Sequence, residues 1–149
     1  MLRNLSAILL VLALILSPTF RGRESLLASI LSWVLLFPIG VTGISAAISH
    51  LFFPQVAAAD IGWQTSPFQF EVGMADLAAC LAFRRSFGFK IAAVMAASIS
   101  LLGDAVGHVH QMLACNFAPG NAGVPFFTDM ICPVLAIGLL LTNRRRTVG

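Results

Sequence analysis

Five apolar blocks, divided by short polar or basic breaks, occupy most of this chain: residues 5–20, 25–53, 67–83, 88–113 and 125–142. A helix needs about 20 mostly apolar residues to cross a bilayer, with a tolerated range of about 17–25. Three blocks meet that length directly, and the first and last meet it with their flanks included. Only 10% of the residues are charged, against roughly a quarter in soluble domains. The expectation is an all-α fold: one integral membrane bundle of about five transmembrane helices, a single domain over residues 1–149, with the lipid bilayer as its surroundings. No repeat, low-complexity tract or nucleotide-binding glycine loop interrupts the pattern.

Basic residues stand in three clusters, Arg21 with Arg23, Arg84 with Arg85 and Lys90, and Arg144 to Arg146. Nucleic-acid binding calls for a basic face with interleaved aromatics. These clusters instead punctuate apolar blocks, so nucleic acid is not an expected partner. With five spans all three fall on one side, and the positive-inside rule places that side in the cytoplasm. The chain then reads as a multi-pass protein of a bacterial inner membrane, with a cytoplasmic C-terminus and periplasmic loops at 54–67 and 115–125. Residues 1–20 also resemble a signal peptide, but no A-x-A-like cleavage site precedes Arg21, so the first helix is expected to remain.

Local signals mark the helix ends. In "SPFQFE", Ser66 suits a cap, Pro67 a first helical position, and Gln69 completes an S-x-x-Q capping box. Pro38 predicts a kink in the second helix and Pro133 another in the fifth. Trp33 and Trp63 suit the membrane interfaces. In the fourth helix Ala92, Ala96 and Ser100 recur every four residues, and Gly103 and Gly107 form a small-xxx-small pair. That pattern predicts close approach of another helix. Asp104 and His108 extend the row, which turns them toward neighbouring helices and away from lipid.

The ionisable residues then gather in the outer half: His50, Asp60, Glu71, Asp76, Asp104, His108, His110 and Asp129. Counted from Leu113 at about 1.5 Å per residue, His108 lies roughly 8 Å deep and Asp104 roughly 14 Å. A lipid-facing Asp at that depth costs about 2.5–3.5 kcal/mol, so Asp104 needs a partner, water, a ligand or a proton. Glu71 and Asp76, five positions apart, lie about 140° apart around a helix and do not share a face. The expected chamber gathers His50, Glu71, Asp104 and His108 from three helices, with Gln111 and Asn121 as secondary contacts and Asp129 at the rim. His108 is its central residue, Asp104 orients or charges it, and Glu71 carries a proton or cation. His110 points away.

Three functions fit these residues. The chamber holds a small polar ligand, cation or proton; or His50 and His108 ligate a metal or haem; or the buried polar pairs only set helix register in an accessory subunit. H-E-x-x-H, paired E-x-x-H and CxxC motifs are all missing, so no metal, cofactor or catalytic residue is assigned. Cys115 and Cys132 flank the second outer loop, in a compartment that permits disulfides, and their pairing is left open. Cys80 suits a core position.

The strings "HLFFPQVAAADIGWQTSPFQFEVGMADL" and "GHVHQ", "NFAPGNAG" and "FFTDM" cover the outer half from Ser49 to Pro133. There the chain resembles a family of small, uncharacterised bacterial multi-pass membrane proteins. The resemblance implies the membrane class and carries no activity.

Overall fold

The computed structural model describes residues 4–66, 68–78 and 86–147. Every regular element among the described residues is a helix, in the order α1 (Leu5–Thr19), α2 (Leu26–Val34), a π-helical stretch (Leu35–Val41), α3 (Thr42–Phe52), α4 (Pro54–Asp60), α5 (Phe68–Ala78), α6 (Phe87–Leu113), α7 (Pro119–Ala122) and α8 (Val124–Thr147). Leu26–Phe52, Phe87–Leu113 and Pro119–Asn143 are long and apolar enough to cross a membrane, and α1 is a shorter apolar helix.

The kink expected at Pro38 takes a specific form. Proline has no N–H to give and its ring crowds the carbonyl four residues back. The chain answers by widening the turn: the Thr42 N–H reaches the Phe37 carbonyl, five residues away, the spacing of a π-helix. Pro133, by contrast, sits inside α8 without ending it. Serine caps open two helices as side-chain acceptors, Ser25 for the Ala28 N–H at 3.2 Å and Ser86 for the Phe89 N–H at 3.4 Å. At its other end α6 closes with Cys115 in the left-handed region (φ 61°) and the Asn116 N–H on the Gln111 carbonyl at 2.9 Å.

Packing divides the molecule into two parts. One is a closely packed core of Ala13, Leu31, Val34, Leu35, Ile39, Val94, Ala97, Cys132, Ala136, Leu139 and Leu140, drawn from α1, α2, the π-helical stretch, α6 and α8. The other is the α3–α5 pair. There Gly73 is buried, and a methyl in place of its hydrogen would stand 2.8 Å from Leu51 Cγ. Only glycine lets these two helices approach so closely.

One expectation of the sequence is corrected here. The row of small residues on α6 does not seat a helix: a Cβ at Gly103 or Gly107 would meet open space, and Ala92, Ala96 and Ser100 are exposed. The helix packs on α8 through another face, with Lys90, Val94, Ala97, Ser98 and Ala105 buried. Lys90, from the second basic cluster, lies within the packing. It is buried, and its Nζ donates to Ser32 Oγ at 2.6 Å. Its position near the start of α6 faces α2, and the long alkyl stem carries the ammonium into that contact. Cys115 and Cys132 are free thiols, one exposed and one buried. Cys80, Arg84, Arg85 and Pro67 lie outside the described residues.

Candidate functional site: a polar cavity between the helix pairs

Between the α3–α5 pair and the packed core lies a cavity of about 380 Å³. That is the size of a pocket for a small organic molecule. Its apolar walls include Ile39, Val72, Ala97 and Leu101. Its polar lining includes Thr42, His50, Asp60, Gln69, Asp76, Asp104, His108, Asn121 and Asp129. Four carboxylates and two imidazoles therefore face one space from α3, α4, α5, α6 and α8, and among the described residues no lysine or arginine lines it.

His108 is held from two sides. Its Nδ1 donates to Asn121 Oδ1 at 2.7 Å, and its Nε2 lies 3.3 Å from Asp129 Oδ2. The edge of its ring meets Phe126, with centroids 6.3 Å apart. Asn121 is buried and is itself fixed, because its Nδ2 donates to the Asn116 carbonyl at 2.7 Å. The direct acidic partner is thus Asp129 from α8, not the Asp104 expected one helical turn away. Residues i and i+4 project from one helix side by side, whereas α8 presents its carboxylate across the gap, within reach of the ring's far nitrogen.

On the opposite wall, His50 Nδ1 donates to Gln69 Oε1. The capping role expected for Gln69 is replaced by this bond. Its backbone N–H still meets the Ser66 carbonyl at 3.1 Å, but its buried side chain joins α5 to α3. Glu71 is exposed and does not line the cavity, while Asp76 does. The two stand on different faces, as their spacing requires, and the Gly73–Leu51 contact turns the Asp76 face inward.

The two outer loops close over the site. Asn116 Nδ2 donates to the Ile61 carbonyl at 3.1 Å and to Gln111 Oε1 at 3.1 Å, and its Oδ1 accepts from the Ala118 N–H at 3.2 Å. Gly62 (φ 74°) leaves room for Asn116, since a Cβ there would stand 2.5 Å from Asn116 Oδ1. Gly120 likewise lies against Asp60, where a Cβ would meet the carbonyl oxygen at 2.5 Å. Gln111 therefore serves the loop and does not line the cavity, and His110 is exposed at the end of α6.

Of the seven residues singled out from sequence, the structure brings His50, Asp104, His108, Asn121 and Asp129 to one cavity. Asp60, Gln69 and Asp76 line it too and were not assigned to it from the sequence. The inward turn of Gln69 and Asp76 depends on helix phase, while Asn116 was legible as a loop amide that could supply hydrogen bonds over the chamber. Among the described residues no three His, Cys, Asp or Glu side chains are grouped to hold a metal ion. Both ring nitrogens of His108 already face oxygen atoms.

A family model, DUF6790, described as a family of unknown function, matches residues 3–148. The chain belongs to that family. No curated protein and no solved structure matches it.

Proposed function

We infer that this member of a family of unknown function is a membrane protein whose cavity binds a small organic cation, in the manner of a transporter or receptor site. The observation that carries the reading is the cavity itself, where four carboxylates and two imidazoles line one space with apolar walls. A polar pair in a membrane interior contributes only about 0.6 kcal/mol on average to holding helices together. So large a set of charges around open space is a poor way to fix helix register. The apolar wall suits an aliphatic body, and Asp76 with Asp104 suits its ammonium. Thr42 Oγ1, buried on the same wall, has no hydrogen-bond partner among the described residues, and buried polar groups are ordinarily hydrogen-bonded.

The same reading includes five spans in a bacterial inner membrane, with the C-terminus cytoplasmic and the cavity toward the periplasm. The three basic clusters support it. A reporter fused after Arg146 that works only outside the cell would reverse this orientation.

The binding test uses the full chain in lipid nanodiscs with butylammonium, and with butanol and butyrate as matched neutral and anionic probes. Butylammonium is expected to bind by calorimetry and to raise the unfolding temperature. Asp76→Asn should weaken it about tenfold or more, the loss of one charge-assisted contact of about 1.5–3 kcal/mol. Equal stabilisation by butyrate would sink the cation reading.

A further inference from the structure

Which nitrogen of a histidine carries the proton is set by the hydrogen bond the other one makes. For His108 that choice is already made. The Asn121 amide is oriented by its Nδ2 bond to the Asn116 carbonyl, so its Oδ1 is the atom turned to His108 Nδ1. An amide oxygen accepts and cannot donate. Nδ1 therefore keeps its hydrogen in every protonation state, and any exchange of a proton takes place at Nε2, opposite Asp129 Oδ2.

We propose that His108 and Asp129 form a proton-binding site on the cavity, which gives up its proton when a cation occupies Asp76 and Asp104. The coupling rests on the cation reading above; the proton site does not. With the proton present, imidazolium and carboxylate together are neutral. With it gone, a lone pair faces a carboxylate across 3.3 Å and the pair carries one negative charge. Entry of an ammonium and departure of a proton to cavity water leave the total charge unchanged. No covalent bond to carbon is made or broken, and nothing is oxidised or reduced.

The charged neighbours agree with this assignment. Asp104 approaches from α6 itself, Asp129 from α8, Asp76 from α5, Asp60 from α4 and His50 from α3, all around one space. A positive charge that arrives among the first and third of these repels the proton on His108 through a site partly shielded from bulk water, where Coulomb terms exceed their value in solution. Asn121 is a positioning residue: it selects the nitrogen and touches no occupant in this role.

The test is nitrogen NMR of the full chain labelled with ¹⁵N-histidine in nanodiscs, from about pH 5 to about pH 8, the range in which histidine ordinarily titrates. His50→Gln and His110→Gln assign the three signals. His108 is expected to hold its Nδ1 proton throughout, with Nε2 alone exchanging. A neutral form protonated at Nε2 would overturn the proton site, and needs no variant of the site to be seen. Butylammonium added in weakly buffered solution should then release one proton per molecule bound, and Asp129→Asn should lose that release. Binding without release overturns the coupling. No binding at all overturns both the cation reading and the coupling, while the tautomer still decides the proton site.

Discussion

Around Lys90 the polar atoms are enclosed by packed side chains, whereas around His108 they face open space. At the first end Ser29 Oγ donates to the Ser17 carbonyl at 2.8 Å and Ser32 Oγ to the Ala28 carbonyl at 2.9 Å. Asn143 Nδ2 donates to the Leu139 carbonyl at 2.9 Å, and Lys90 ends on Ser32. Hydroxyls and amides there close on helix carbonyls, which takes no extra room. At the other end the polar groups are mostly ionisable and come from five helices. Their bonds run between elements, Gln69 to His50 and Asn121 to His108, and they line a cavity instead of filling it. Burial of polarity therefore has two meanings in this molecule. Where polar groups close on carbonyls and hydroxyls of packed helices, it serves packing. Where charges converge on space, it leaves room for the occupant proposed above.

The sharpest way to break this division is to remove packing. Leu31→Ala, in the enclosed core, is expected to cost about 2–5 kcal/mol, as a large-to-small change does where neighbours cannot collapse. Leu101→Ala, at the cavity wall, should cost clearly less, because atoms on one side of Leu101 already face space. Thermal unfolding in nanodiscs compares the two. Equal losses would mean that the cavity wall is packed as tightly as the core.

A smaller effect separates two glycines. Gly73→Leu forces a side chain against Leu51 and His50, and overpacking of this kind costs about 1–3 kcal/mol. Gly107→Leu meets open space. It should leave the unfolding temperature near that of the parent and yet block butylammonium by filling the cavity. If Gly107→Leu destabilised the protein as much as Gly73→Leu, α6 would carry a helix on its small-residue face after all.

The smallest effect concerns the two acids of α5. Glu71→Gln, on the exposed face, should change stability by no more than about 0.5 kcal/mol and leave butylammonium affinity unchanged. Calorimetry on this variant beside Asp76→Asn reads the helix phase directly. Loss of affinity in Glu71→Gln with none in Asp76→Asn would mean that α5 is turned the other way.

Much of the framework was legible from hydropathy and local signals. The second block, 25–53, becomes Leu26–Phe52, and the fourth, 88–113, becomes Phe87–Leu113. Pro38 marks the distortion, although nothing in the string distinguishes a π-helical turn from an ordinary kink. Gathering of polarity in the half that holds His50, Asp104, His108, Asn121 and Asp129 was legible too. The partner of His108 was not, because Asp104 and Asp129 look equivalent until α8 is placed beside α6. Gly103 and Gly107 misled for a related reason: a small residue permits close approach and also leaves a void, and only the neighbour decides which.

Sequence alone determines that this chain is helical and apolar enough for a membrane, since apolar length and the backbone's own hydrogen bonds are properties of each segment by itself. It also determines where the polar residues fall along each helix. Tertiary structure decides which of them meet. The rotation of α5 is settled by one glycine under Leu51, and that rotation brings Asp76 inward and leaves Glu71 exposed. The protonated nitrogen of His108 is settled by an amide thirteen positions later, oriented in turn by the carbonyl of Asn116. Such choices depend on angles between separate helices and loops. A turn of about 100° per residue makes every helix face equally available until a neighbour selects one.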